Sequence, residues 1–309
     1  MSTSTERAIV VSALKHAAPY IRLYKRKVFV LKVGGEVFAE EARTRALMEQ
    51  VGILHQVGIR VVLIHGGGPQ STELAKQLGV DTTFIEGRRV TDGASLDIAT
   101  MVLNGQINTR VLAACRDLGV PAVGISGVDA GLIRAHKRPP VTRGDAEPVD
   151  YGFVGDIDAV DADIVRKQLD NGLMPVISPL SCDESGTLLN INADTVAAAI
   201  AAELDAEKLI LVTAAPGILE DASDPQSLIS FLDRSDLDKL RETGKLADGM
   251  LPKAAAVDAA LENGVSRVHI ISWKVPDSLL LEVFTNEGTG TLVVNDTSLL
   301  TPAEQGDDA

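Results

Sequence analysis

The chain has 309 residues, 45% of them hydrophobic, and a formal net charge of −14. That length suits one large α/β domain or two lobes around a sizeable core. So acidic a chain is a poor partner for nucleic acid or anionic membrane surfaces, and any anion it handles must meet a local cluster of cations. No apolar run approaches a membrane span, and no secretory apolar region follows the Ser/Thr-rich start. Two distant cysteines, Cys115 and Cys182, lack metal spacing, so a reducing cytoplasm is the expected compartment.

Ile9 to about Lys25 reads as an amphipathic helix with Val10, Leu14, Ala17 and Ile21 on one face, which Pro19 should end or kink. Residues 1–26 thus form a helical arm, packed either on its own subunit or on a neighbouring chain. Val28 to Val33 is a buried strand closed by Gly34-Gly35, and Ala39 to Val57 is the helix after it, stopped by Gly58. Arg60 to Ile64 is the next strand, with its turn at His65 to Gly68. Pro69 then opens a helix to about Leu78. Strand–helix–strand–helix at this spacing implies a parallel sheet with right-handed crossovers.

A helix from Ser95 through Leu118 ends at Gly119, and Val120 to Ile125 is a strand. Leu132 to Ala135 and Val149 to Gly155 read as short strands around a polar loop at 136–147, in the manner of a hairpin lid. Leu173 to Ser178 is a buried strand, and Asn190 to Leu204 passes from a strand end into an alanine-rich helix. Leu209 to Thr213 is a strand with a Pro216-Gly217 turn, and Ala254 to Asn263 is a helix. Val268 to Ile271 and Thr291 to Val294 close the sheet, and an acidic tail at 301–309 frays. No break in composition divides the chain. One continuous sheet is expected, with lobes 27–180 and 181–300 meeting where ligands sit at the carboxyl ends of strands.

Two familiar nucleotide loops are absent. Gly244-Lys245 lacks the flanking residues of a Walker A loop, and Gly66 to Ser71 ends in serine where a dinucleotide fingerprint needs glycine. Four other segments stand at strand–helix junctions. Lys32 adjoins Gly34-Gly35, and Gly66 to Gly68 offers consecutive N–H donors at a helix N-terminus. Asn190 to Asp194 enters one helix with polar groups, and Asp248 to Lys253 brings a second lysine to the start of another. Each is weak alone; together, in this order, they suggest phosphate chemistry.

These segments resemble the amino-acid kinase family, most nearly its acetylglutamate kinases, from about Lys27 to Val294. The resemblance rests on KVGG at 32–35, HGGGPQ at 65–70, GRRVTD at 87–92 and SGVDAGLIRA at 126–135. It continues through FVGDI at 153–157, NINADTVAAAIA at 190–201, GMLPK at 249–253 and LLLEVFTNEGTGT at 279–291. It implies a three-layer αβα sandwich around a mostly parallel central sheet. It also implies transfer of the ATP γ-phosphoryl group to the side-chain carboxylate of N-acetyl-L-glutamate. That carboxylate has a pKa of about 4.3 and is already ionised at neutral pH, so the reaction needs positioning and charge relief rather than a base.

By the same resemblance, Lys32 and Lys253 flank the phosphoryl group and Asp194 holds both. Gly35, Gly67 and Gly68 offer N–H groups, Arg89 pairs with a substrate carboxylate, and Asn190 binds the acetylamino acid. Thr213, Pro216, Gly217, Lys245 and Gly249 take ATP, with Mg2+ held by phosphates and water and no direct protein ligand. The N-terminal helix resembles that of arginine-inhibited members, which implies a homo-oligomer, dimer or hexamer. It also implies an L-arginine pocket formed by Tyr20, His269, Glu282 and Gly288. Departures from the family pattern are Glu36, Ala214-Ala215, Asp248 and Ser272-Trp273-Lys274. Two alternatives stay open: a kinase of a related carboxylate such as a carrier-bound aminoadipate, and a non-catalytic nucleotide or amino-acid sensor. Whether a signalling protein docks on the acceptor lobe is left open by the sequence.

Overall fold

The computed structural model describes residues 4–300 apart from 86–87, 143–146, 222, 225, 247–248 and 287. The expected tail at 301–309 lies outside the described residues, as do part of the polar loop at 136–147 and Asp248. In chain order the first elements are α1 (Ser4–Tyr24), β1 (Val28–Val33), a 3-10 turn (Gly35–Ala39), α2 (Glu41–Gln56), β2 (Arg60–His65) and α3 (Gly68–Leu78). A small hairpin, β3 (Phe84–Ile85) and β4 (Arg88–Arg89), precedes α4 (Gly93–Thr100), a π-helical stretch (Met101–Asn108) and α5 (Thr109–Asp117). Next come β5 (Ala122–Ser126), β6 (Ile133–Lys137), β7 (Gly155–Val160), α6 (Asp163–Asp170), β8 (Met174–Ser178), β9 (Leu180–Cys182) and β10 (Leu188–Asn190). The remainder is α7 (Ala193–Glu203), β11 (Lys208–Thr213), β12 (Phe231–Asp233), α8 (Arg234–Glu242), α9 (Leu251–Glu262), β13 (Val268–Ser272), α10 (Ser278–Phe284) and β14 (Thr291–Val294).

Among the described residues, eight strands form the main sheet in the order β12-β14-β13-β11-β1-β2-β8-β5. The six from β13 to β5 are parallel, β14 is antiparallel to β13, and β12 is parallel to β14. Alternate residues of a strand face opposite sides of a sheet. Accordingly Val30, Val62, Ile64, Leu209 and Leu211 pack with residues of α6, α7 and α9, whereas Phe29, Leu31, Val61, Leu63 and Ile210 pack with residues of α2, α5 and α10. Both faces are therefore covered by helices, as a largely parallel sheet requires. This is the expected αβα sandwich.

Several expectations change in detail. The sheet is not one continuous surface: β10, β9, β6 and β7 form a separate four-stranded sheet. The strand expected at 149–155 lies later, at β7. It pairs with β6 from Ile133 opposite Val160 to Lys137 opposite Gly155, with Arg138 on Asp156 at 2.6 Å and the His136 ring 2.7 Å from Asp158, while 149–154 makes only isolated bridges. The edge strand β12 escaped the reading because three residues leave no period to detect, so β14 lies inside the edge and does not close the sheet. Pro19 does not end α1, which runs five residues beyond it. That helix is exposed, so water can satisfy the carbonyl that loses its donor. Finally, the helix expected from Ser95 starts at Gly93, where Asp92 accepts the Ser95 N–H at 2.8 Å, and it contains the π-helical stretch.

Candidate active site

Lys32 is the fifth residue of β1 and shares the face of Val30, so it rises toward α7 near the carboxyl end of the strand. Asn192 caps α7, its Oδ1 accepting the N–H of Asp194 at 2.8 Å and of Thr195 at 3.2 Å. This cap puts Asp194 in the first turn, where the helix dipole favours an anion. The Asp194 carboxylate is 4% exposed and takes Lys32 Nζ at 3.0 Å on Oδ1 and Lys253 Nζ at 3.7 Å on Oδ2. Lys253 occupies the first turn of α9, directly after Pro252. Burial pushes the Asp194 carboxyl up, but the two ammonium groups outweigh it and hold the group below the usual carboxylate range. Burial, with Lys32 adding, pulls Lys253 below the ordinary lysine range against the opposing carboxylates of Asp194 and Glu36. Glu36, exposed beside the first glycine turn, thus acts on Lys253 through its charge.

The two glycine turns abut. A Cβ on Gly35 would stand 2.8 Å from Gln70 Oε1, 3.0 Å from Gly67 Cα and 3.2 Å from Gly67 N. Gln70 Nε2 ties the turns together by donating to the Gly35 carbonyl at 2.6 Å. A Cβ on Gly67 would meet Leu103 and Ile107 at 2.7 and 2.8 Å, whereas one on Gly68 would meet open space. A cavity of about 410 Å³ opens over these turns, lined by Lys32, Gly67, Gly68, Arg89, Asn190 and Asp194 among others. Arg89 donates to Thr72 Oγ1 at 2.5 Å and to the Gly68 carbonyl at 3.3 Å, with its guanidinium 4.7 Å from the Phe84 ring centroid. Burial lowers its pKa from an ordinary value far above neutrality. Asn190 reaches Thr91 Oγ1 at 3.5 Å.

The residues expected on the nucleotide side do not line this cavity. Thr213 ends β11, its carbonyl accepting the Trp273 N–H at 3.0 Å, and Gly217 lies so close to Thr291 Oγ1 that a Cβ would come within 2.5 Å. The Gly249 carbonyl accepts Lys253 Nζ at 3.5 Å, and Lys245 follows α8. Sequence reading missed Thr72, Phe84 and Tyr151 in the cavity wall, since their approach depends on the β3–β4 hairpin and the Thr91–Gly152 bridge. Arg138, from the polar loop at 136–147, also lines it.

A second polar cluster lies toward the amino ends of β11 and β13. Lys208 Nζ is 3.0 Å from His269 Nε2, and His269 Nδ1 is 2.7 Å from Glu282 Oε1. Glu282 Oε2 accepts the Thr289 N–H at 2.7 Å, and a Cβ on Gly288 would stand 3.0 Å from that oxygen. Tyr20 on α1 donates to Asn286 Oδ1 nearby. Burial alone would raise the Glu282 carboxyl. Its bonds to His269 and Thr289 and the nearby Lys208 ammonium instead carry it from 4.5 down to about 2, while burial and Lys208 hold the His269 imidazole below its ordinary value. A depressed carboxyl contributes stability above its unfolded pKa and loses it as pH falls through the folded one. Urea unfolding should therefore show a stability loss on acidification from about pH 5 toward pH 2, amounting to as much as ~3 kcal/mol from this group. Glu282→Gln should flatten that slope, and an unchanged slope would remove the assignment.

Comparison with known proteins gives a consistent set of likenesses. The model for the amino acid kinase family matches residues 27–272. An acetylglutamate kinase of Myxococcus xanthus is 48% identical over 92% of this chain and 94% of its own length. One from Symbiobacterium thermophilum is 45% identical over 92% and 97%. Among solved structures, N-acetylglutamate synthase from Neisseria gonorrhoeae, complexed with coenzyme A and N-acetyl-glutamate, superposes with a TM-score of 0.81 at 31% identity. A second structure of that synthase, with coenzyme A and L-arginine, gives 0.80 at 30%. Each alignment covers 93% of this chain, which spans 64% and 65% of the synthase chain in the two structures.

Proposed function

The chain belongs to the amino acid kinase family, and on that premise we propose that it phosphorylates the side-chain carboxylate of N-acetyl-L-glutamate at the expense of ATP. The observation that carries this reading is the Lys32–Asp194–Lys253 arrangement beside the paired glycine turns. Two anions must be brought together and the transferring group relieved of charge, which is work for fixed cations and N–H donors. Lys32 meets the transferring oxygens from the acceptor side, and Lys253, at the N-terminus of α9, meets the leaving phosphate. Asp194 is a positioning group, since its carboxylate lies between the two ammoniums and is held ionised. Gly35, Gly67 and Gly68 add N–H donors. The acceptor lies in segment 27–180 with Asn190, and ATP over segment 181–300, against Thr213, Pro216, Gly217, Lys245 and Gly249. Mg2+ would be held by the phosphates and water, with no direct protein ligand, and would supply charge neutralisation there.

Arg89 takes the other carboxylate of the acceptor in a two-pronged pair. Arg89→Lys should raise KM for N-acetyl-L-glutamate ~30-fold or more, because lysine cannot present the fork. KM for ATP should stay within about 2-fold; a matched rise in both constants would reject the assignment.

We also propose feedback inhibition by L-arginine at Tyr20, His269, Glu282 and Gly288. Its support is the ionised, buried Glu282 carboxylate suited to a guanidinium and approached closely by Gly288, together with the synthase neighbour solved with L-arginine. The exposed apolar residues of α1, with Ile9, Val10, Leu14 and Leu23 each about three-fifths exposed, support a homo-oligomer, dimer or hexamer, built through that arm. We further propose a cytoplasmic location; no helix among the described residues is long and apolar enough to cross a membrane.

The deciding assay is ADP release from Mg-ATP and N-acetyl-L-glutamate, with and without L-arginine, beside a Lys253→Ala control. Turnover abolished in the control supports the kinase; no turnover from folded, ATP-binding protein favours another acceptor or a sensor. Removing residues 1–25 should abolish the arginine response while activity persists.

A further inference from the structure

We infer that His65 is a positioning residue of the phosphoryl site: its Nδ1–H holds the Gly66 carbonyl and so turns the Gly67 N–H into the cavity. The inference rests on the kinase reading above.

His65 ends β2 opposite Val33 of β1 and is wholly buried, one residue before the Gly66-Gly67-Gly68 turn. Its Nε2 lies 3.3 Å from Asn108 Nδ2, and the same Nδ2 donates to the Val176 carbonyl at 3.0 Å. A carbonyl only accepts, so that Asn108 atom is the amide nitrogen and His65 Nε2 must accept from it. A neutral imidazole then carries its proton on Nδ1. Burial keeps the ring neutral, taking its pKa down to about 4, with hydrogen bonding toward the Gly66 backbone carbonyl as the opposing influence.

Nδ1 is one of the buried polar atoms without a hydrogen-bond partner among the described residues. Such an atom calls for an explanation. The acceptor assigned to it is the Gly66 carbonyl, the backbone group that opposes the effect of burial on the ring, and the peptide that carries it is planar and trans. The carbonyl of residue 66 and the N–H of residue 67 therefore point in opposite directions. A donor that takes the carbonyl on the buried side sends the N–H toward the cavity that Gly67 lines. Holding the carbonyl also polarises the N–H on the same peptide.

The neighbouring helix supports this arrangement from a second direction. Asn108 is the last residue of the π-helical stretch Met101–Asn108, a geometry found frequently at functional sites. The same stretch presses Leu103 and Ile107 against the α-carbon of Gly67 and accepts the Ser178 hydroxyl on Asn104. One irregular element thus restrains Gly67 at its α-carbon and, through His65, at its peptide plane.

Asparagine can place an amide donor where Nδ1 stood, and glutamine where Nε2 stood. We expect His65→Gln to lower kcat ~30- to 100-fold, near the worth of one oxyanion donor. KM for ATP and acceptor should stay within about 3-fold, and His65→Asn should keep kcat within about 5-fold of the parent at a similar melting temperature. Long-range proton–nitrogen NMR of the parent protein reads the tautomer independently of activity and of either variant's folding. A neutral His65 protonated on Nδ1 supports the inference. Protonation on Nε2, or equal kcat in the two folded variants, overturns it. Failure of the parent to release ADP with N-acetyl-L-glutamate would count against the kinase reading alone, and the tautomer would still decide the role of His65.

Discussion

Lys32→Met should lower kcat on the order of 100- to 1,000-fold while changing KM for either substrate only a few-fold. The ammonium of Lys32 lies at the end of a central strand, its side chain 9% exposed, and is held by Asp194 at 3.0 Å. A charge so fixed acts where charge develops in the transferring group, without reorganisation at the moment of reaction. The same variant should lose up to ~3 kcal/mol of stability, because Asp194 stays buried with only Lys253, at 3.7 Å, to balance it. Lys32→Met combined with Asp194→Asn separates the two effects. The pair should recover most of the stability and none of the rate, since neutralising Asp194 removes the stranded charge but supplies no cation. Recovery of rate in the double variant would show that Lys32 acts only by balancing Asp194.

Gly35→Ala should reduce kcat ~10- to 100-fold with no charge removed at all. The added methyl meets backbone, Gly67 Cα at 3.0 Å and N at 3.2 Å, and the Gln70 amide oxygen at 2.8 Å. Gln70 can swing away only by giving up its 2.6 Å bond to the Gly35 carbonyl. The two turns must then separate by a few tenths of an ångström, and stability should fall by ~1–3 kcal/mol through overpacking. Gly68→Ala is the control, since a Cβ there meets nothing within 4 Å. Its stability should match the parent, and a stability loss equal to that of Gly35→Ala would argue against close packing of the turns as the cause. Steady-state kinetics and urea melts on the three proteins settle the comparison.

Short-range periodicity accounts for the part of the fold legible in the residues alone. The apolar runs at Val28–Val33, Arg60–Ile64 and Leu209–Thr213 and the glycine turns after them are local signals, and they recovered the parallel core of the sheet. The βα order, the lysines beside glycine turns and the caps at helix starts are likewise written in neighbouring positions. The smaller sheet was not legible, because β7 owes its register to partners on β6 that the chain reaches only after a long polar loop. The π-helical stretch was hidden too, since its composition reads as ordinary helix and only the reach of Asn104 and Asn108 reveals it.

For the candidate site the division is similar. The residue types, and their places at strand ends and helix starts, came from the sequence alone, including Lys32, Asp194, Lys253 and the two glycine turns. Tertiary structure decided that one buried carboxylate lies between the two lysines, that the glycine turns touch backbone to backbone, and which residues face the cavity. The reason is physical: periodicity and turn chemistry act over a few residues, whereas charge pairing and close packing act through space between segments remote from one another along the chain.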